Sequence, residues 1–158
     1  MAEKLIVSTL EPVEIGQQFN SLPLHVTLMP WFEITQESAS TLNRYLNVIA
    51  KKTDNIELKG EEEAMFGENE DVRVRKLAAS TLRLVHFDIL AAINWSGGMC
   101  QSPYIAENYN PHVSFVDDNS IAQGEVVDVH ALQVFERDPQ TRARTVTDVH
   151  NFAGNVAV

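Results

Sequence analysis

Two stretches with helical spacing are set among many short stretches of strand character, and this order constrains the fold of the chain more than any other feature. Over residues 36–52, Leu42, Tyr45, Leu46 and Ile49 form an apolar stripe, while Asn43, Arg44, Asn47 and Lys51 stay on the wet side. Over 80–94, Leu82, Val85, Ile89 and Ala92 or Ile93 recur at the same period, and a Gly97-Gly98 turn stops the run. The other segments read as strands: 4–10, ending before Pro12 and Gly16; 24–29, between Pro23 and Pro30; then 56–59, 72–77, 109–116, 126–135 and 142–149. Glu61-Glu62-Glu63 reads as an exposed loop. Each helix has an apolar face to bury against a sheet, so the expected class is α+β. No solenoid-type repeat or low-complexity linker divides residues 1–158, which read as one domain with two lobes that echo each other.

Composition narrows the function. Twelve Lys and Arg against twenty-two Asp and Glu give a net charge of −10, which disfavours a broad nucleic-acid footprint or an anionic membrane surface but leaves room for a local anion pocket. Cys100 is the only cysteine, so the chain carries no internal disulfide framework and no cysteine-based zinc or redox motif. Residues 1–14 lack a secretory signature, and no apolar run reaches membrane-spanning length. The expectation is a soluble, cytoplasmic protein.

The chemistry gathers in two tripeptides, His25-Val26-Thr27 and His112-Val113-Ser114. Strand period two puts the imidazole and the hydroxyl on one face, with the valine in the opposite layer. Imidazoles titrate near neutrality and can divide acid and base work. Hydroxyls beside them can donate to the non-bridging oxygens of a phosphate. The combination suits phosphodiester chemistry.

The segments Pro23-Leu24-His25-Val26-Thr27-Leu28 and Pro111-His112-Val113-Ser114-Phe115 resemble the paired histidine-x-threonine-or-serine motifs of the two-histidine phosphoesterase superfamily, also called the LigT-like or 2′-5′ RNA ligase-like family. The resemblance implies a bilobal fold with antiparallel sheets flanking a central cleft and outer helices. It implies action on 2′,3′-cyclic phosphates of nucleotides or RNA ends, with a nucleotide or short RNA as partner and no metal or other cofactor. His25 and His112 would be the acid–base pair, and Thr27 and Ser114 would bind the phosphate. Release of the 3′ oxygen would leave a 2′-phosphate. Sequence alone does not assign which histidine starts as base; His112 as base and His25 as acid is the order taken as a starting point. Two alternatives stay open: a nucleotide or RNA-end binding module with little turnover, and an oligonucleotide endonuclease forming cyclic phosphates.

Flanking residues add candidates for substrate binding. Tyr109 could stack on a base or offer its phenol near the second motif, and Trp31 and Phe32 could line the approach to the first. Arg73 and Arg75 share a strand face and could receive a phosphate or pair with acidic side chains, as could Arg142 and Arg144 near the C-terminal edge. His86 lies on the apolar side of its helix and reads as structural; His130 and His150 read as structural or exposed. No His-Glu-x-x-His pattern or compact mixed-ligand cluster suggests a metal.

Overall fold

The computed structural model describes residues 1–78 and 80–154. Among them are nine strands and two α-helices: β1 (Ala2–Thr9), β2 (Gln18–Phe19), β3 (His25–Ile34), α1 (Gln36–Lys51), β4 (Ile56–Phe66), β5 (Val72–Ala78), α2 (Ser80–Ser96), β6 (His112–Ser114), β7 (Val126–Val129), β8 (Ala131–Arg137) and β9 (Arg144–Asn151), with a 3-10 turn at Ala106–Asn108. All named strand pairs are antiparallel, in the order β2-β9-β8-β1-β3-β6-β5-β4-β7. The two lobes are therefore halves of one continuous sheet. They meet where β3 and β6 pair through Val26 and Val113.

Both helices pack on one face. The Thr35 hydroxyl accepts from the Ser38 amide and caps α1, which buries Ala39, Leu42, Leu46 and Ala50. That face is rotated slightly from the expected stripe: Ile49 is half-buried and Tyr45 is exposed. The apolar side of α2 buries Leu82, Val85, Ile89 and Ile93 in the same core as Val26, Leu28 and Val113. Gly97, in the left-handed region at φ 88°, ends α2, with the Gly98 amide donating to the Ile93 carbonyl. A smaller cluster of Leu5, Val7, Phe135 and Val146 forms on the other face, covered by Val13, Phe19 and Leu22 from the segment between β1 and β3.

Three segments depart from expectation. Glu61-Glu62-Glu63 is exposed but lies inside β4, whose register against β5 shifts between Gly60 and Glu63. Carboxylates facing water do not prevent backbone pairing, and the bulge absorbs the mismatch. The stretch 126–135 is two strands, broken at His130: β7 pairs with β4 in one lobe and β8 with β1 in the other. The chain crosses between lobes there, a non-local demand that strand propensity does not encode. The short strand β2, which pairs with β9, carries no sequence signal long enough to announce it.

Candidate active site

The Val26–Val113 pairing builds the site. Both valines are fully buried, so the residues on either side project from the opposite face. An antiparallel ladder in this register sets His25 across from Ser114 and Thr27 across from His112. Four half-buried side chains thus share one surface, each imidazole beside the other motif's hydroxyl. In such a ladder the two histidines are diagonal neighbours, about 7–8 Å apart along the backbone and somewhat closer at Cβ.

Each imidazole is held by the same device. His25 Nδ1 lies 2.8 Å from the Pro23 carbonyl, and His112 Nδ1 lies 2.7 Å from the Asn110 carbonyl. A carbonyl only accepts, so Nδ1 carries the proton and Nε2 is left unprotonated. Burial lowers the pKa of both imidazoles below the usual 6.5, partly opposed by these carbonyls; the charge of His112 lowers His25 further. Both rings favour the neutral form at pH 7.

A brace stands behind the first motif. Tyr109 is only 4% exposed, and its hydroxyl donates to the Thr27 carbonyl at 2.8 Å. Its ring stacks on His86 with centroids 4.1 Å apart. His86 is fully buried; Nδ1–H donates to the Leu28 carbonyl at 2.7 Å, and Nε2 accepts from the Ala106 amide at 2.9 Å. The structural reading of His86 is matched by this placement. Tyr109, a candidate to stack on a base or to offer its phenol near the second motif, gives its phenol to the backbone of the first motif instead.

The other flanking candidates are not brought to the four-residue surface. Phe32 is 2% exposed in the main core, and Trp31 lies under the Arg137 guanidinium, 4.1 Å from its carbon to the ring centroid. Both sit six or more positions along β3 from His25, about 20 Å in an extended chain. Arg75 pairs in register with Val113 and so projects from the valine's face, as does Arg73 two residues away. Arg73 makes a two-pronged contact with Glu63 at 2.8 and 2.9 Å, reaches Asp118 at 3.3 Å, and lies over the Phe115 ring. Arg75 donates to the Ile121 and Glu61 carbonyls. Arg142 is exposed in the turn after Asp138, and the Arg144 guanidinium donates to the Asn20 carbonyl. Arg144 pairs with Arg137, which pairs with Glu3, whereas His25 pairs with Thr9 at the far end of β1. His130 is exposed, and His150 Nε2 lies 3.4 Å from Asn43 Oδ1.

The structure supplies neighbours that sequence reading overlooked. Phe66 meets the His112 ring edge-on at 4.9 Å between centroids. It lines a groove of about 610 Å³ with Met65, Val72, Pro103, Tyr104 and His112. Lys76 pairs in register with His112 and therefore shares its face. The alternation of 72–77 is visible in the sequence, but which parity faces the cleft depends on the β5–β6 register. Among the described residues, no three His, Cys, Asp or Glu side chains converge to hold a metal ion, and no helix is long and apolar enough to cross a membrane.

No family model matches the sequence, and no curated protein matches it. Solved structures do. A crystal structure described as a phosphoesterase matches with a TM-score of 0.70 at 15% identity, covering 96% of this chain and 98% of that one. E. coli LigT complexed with NADP+ matches at 0.67 and 14% identity over 96% and 97% of the two chains. A protein of Thermus thermophilus matches at 0.67 and 15% identity over 98% and 100%. The chain has the LigT-like α+β fold that its motifs led us to expect.

Proposed function

We propose that this chain is a phosphoesterase that hydrolyses 2′,3′-cyclic phosphates of nucleotides or RNA ends to 2′-phosphates, using its two histidines without a metal. The observation that carries the reading is the matched pair of Nδ1–carbonyl bonds, which leaves both Nε2 atoms unprotonated on side chains that share a face with Thr27 and Ser114. Two imidazoles in equivalent settings suit a displacement in which one proton is taken and another given. The nucleotide complexes of E. coli LigT, with 3′-AMP, ATP and NADP+, agree with a nucleotide as the ligand class.

In this mechanism Thr27 and Ser114 donate hydrogen bonds to the non-bridging oxygens and stabilise charge that grows there. One neutral Nε2 removes a proton from water as its oxygen bonds to phosphorus. The other imidazole, protonated, gives its Nε2 proton to O3′ as the P–O3′ bond breaks. The pair ends with the proton positions exchanged and a 2′-phosphate in the cleft. Burial lowers both imidazoles and the repulsion between them is reciprocal, so the pair holds one proton, with one ring starting as base and the other as acid. The 610 Å³ groove beside His112 is of ligand-pocket size and offers Phe66 and Tyr104 to a base.

The test is a reaction in chelator with 2′,3′-cyclic mononucleotides and short RNAs bearing that terminus, resolving products by mass and phosphate position. The expected product is a 2′-phosphate, absent with His25→Ala and with His112→Ala. A 3′-phosphate, a cyclic product from an intact oligonucleotide, or binding without turnover would replace this reading with a different phosphoesterase, an endonuclease or a recognition module.

A further inference from the structure

Lys76 stands across from His112 in the β5–β6 ladder, on the surface that holds His25, Thr27 and Ser114. On β5 its same-face neighbours are Val72 and Val74, while Arg73 and Arg75 project the other way and are engaged by Glu63, Asp118 and backbone carbonyls. Lys76 Nζ rests 3.3 Å from Glu62 Oε1, in a pair whose side chains are 34% and 61% exposed. Directly opposed ladder residues have Cβ atoms only about 5 Å apart. The long, flexible lysine stem therefore keeps the ammonium within reach of a group bound beside His112.

Resting on the phosphoesterase reading, we propose that Lys76 is a phosphate-binding residue that leaves Glu62 when an anionic substrate or product enters the cleft. An ion pair this open to water is weak and gives up its cation at small cost. A phosphate between two partly buried imidazoles sits where charges are less screened. A phosphate monoester carries more negative charge than the cyclic diester from which it forms, so Lys76 holds product more tightly than substrate. Glu62 competes with the phosphate for the same ammonium, which keeps the product from being retained.

The experiment compares wild type, Lys76→Met, Lys76→Arg and Glu62→Gln in turnover of 2′,3′-cyclic AMP, inhibition by 2′-AMP, and binding of inorganic phosphate followed through the histidine ring signals. Losing a charged hydrogen bond predicts an about 10- to 100-fold weaker inhibition by 2′-AMP in Lys76→Met, with a smaller rise in KM. Lys76→Arg restores part of the loss, and Glu62→Gln tightens inhibition. Circular dichroism confirms that the variants fold. Unchanged 2′-AMP inhibition in a folded, active Lys76→Met overturns the lysine assignment and leaves the hydrolase reading standing. Wild-type protein inert toward cyclic nucleotides overturns the hydrolase reading instead. In that case phosphate binding decides the lysine: binding lost in Lys76→Met supports it, and binding absent from wild type or unchanged in the variant overturns it.

Discussion

Val26 of β3 pairs with Val113 of β6, and this contact both joins the halves of the sheet and opposes the two motifs. Because both valines are buried in the helix-side core, the strands cannot slip by one residue without turning valine out and imidazole in. Site geometry and core packing are thus one constraint. Substitutions on the cleft side and on the core side separate their effects.

If the proposed mechanism holds, replacing either histidine by alanine removes a proton-transfer group and should lower kcat/KM by about 10²–10⁴-fold. Thr27→Val and Ser114→Ala remove one donor each to the phosphate and should cost less than either histidine, with unchanged far-ultraviolet circular dichroism. A hydroxyl variant as inactive as His112→Ala would contradict this division of labour, as read by steady-state kinetics on a cyclic nucleotide.

The pH dependence follows from the lowered pKa values of both imidazoles. Burial, chiefly, depresses each one, and His112 depresses His25 further. As pH falls, the first proton taken up by the pair makes the second harder to add. Catalysis needs one proton on the pair, so kcat/KM should be bell-shaped with its maximum below pH 6.5. Titration of the ring protons by nuclear magnetic resonance, assigned with the two alanine variants, checks this; either ring titrating above pH 6.5 would contradict the lowered values.

His86 makes stability pH-dependent. Burial, opposed by the Leu28 carbonyl, lowers its folded pKa below 6.5, and its Nε2 must stay unprotonated to accept from Ala106. The unfolded chain therefore binds the proton more readily. Its contribution is fully present above the unfolded value and is lost as pH falls from about 6.5 through the folded pKa. Denaturant midpoints should drop over that window, and less so in His86→Gln. Tyr109→Phe, which leaves the Thr27 carbonyl without its donor, should cost about 1 kcal/mol and reduce turnover while leaving the core intact.

The faces of β4 and β5 predict which aromatics and cations touch substrate. Phe66→Ala and Tyr104→Ala should raise KM for a cyclic nucleotide, since loss of one base-stacking ring costs about 1–3 kcal/mol. Trp31→Ala and Arg73→Gln, altered away from the cleft surface, should leave KM within about twofold. A large KM effect at Arg73 with none at Phe66 would place the ligand on the opposite face of the sheet.

Much of this protein is legible along the chain because its signals are local. Helical period placed α1 and α2, and strand period put each motif histidine on the face of its hydroxyl neighbour with valine behind it. The two tripeptides were enough to point to the LigT-like fold. What only the tertiary structure decided depends on register between strands far apart in sequence. The β5–β6 pairing turns Lys76 toward His112 and Arg75 away, although they are adjacent residues with the same charge. The fold also encloses Tyr109 and Phe32, which as sequence letters were equally good stacking platforms, and presents Phe66 and Tyr104 instead. The 126–135 run splits because its halves must reach opposite lobes. Side-chain type and spacing define what a residue can do, whereas long-range backbone pairing selects which residues meet the same ligand.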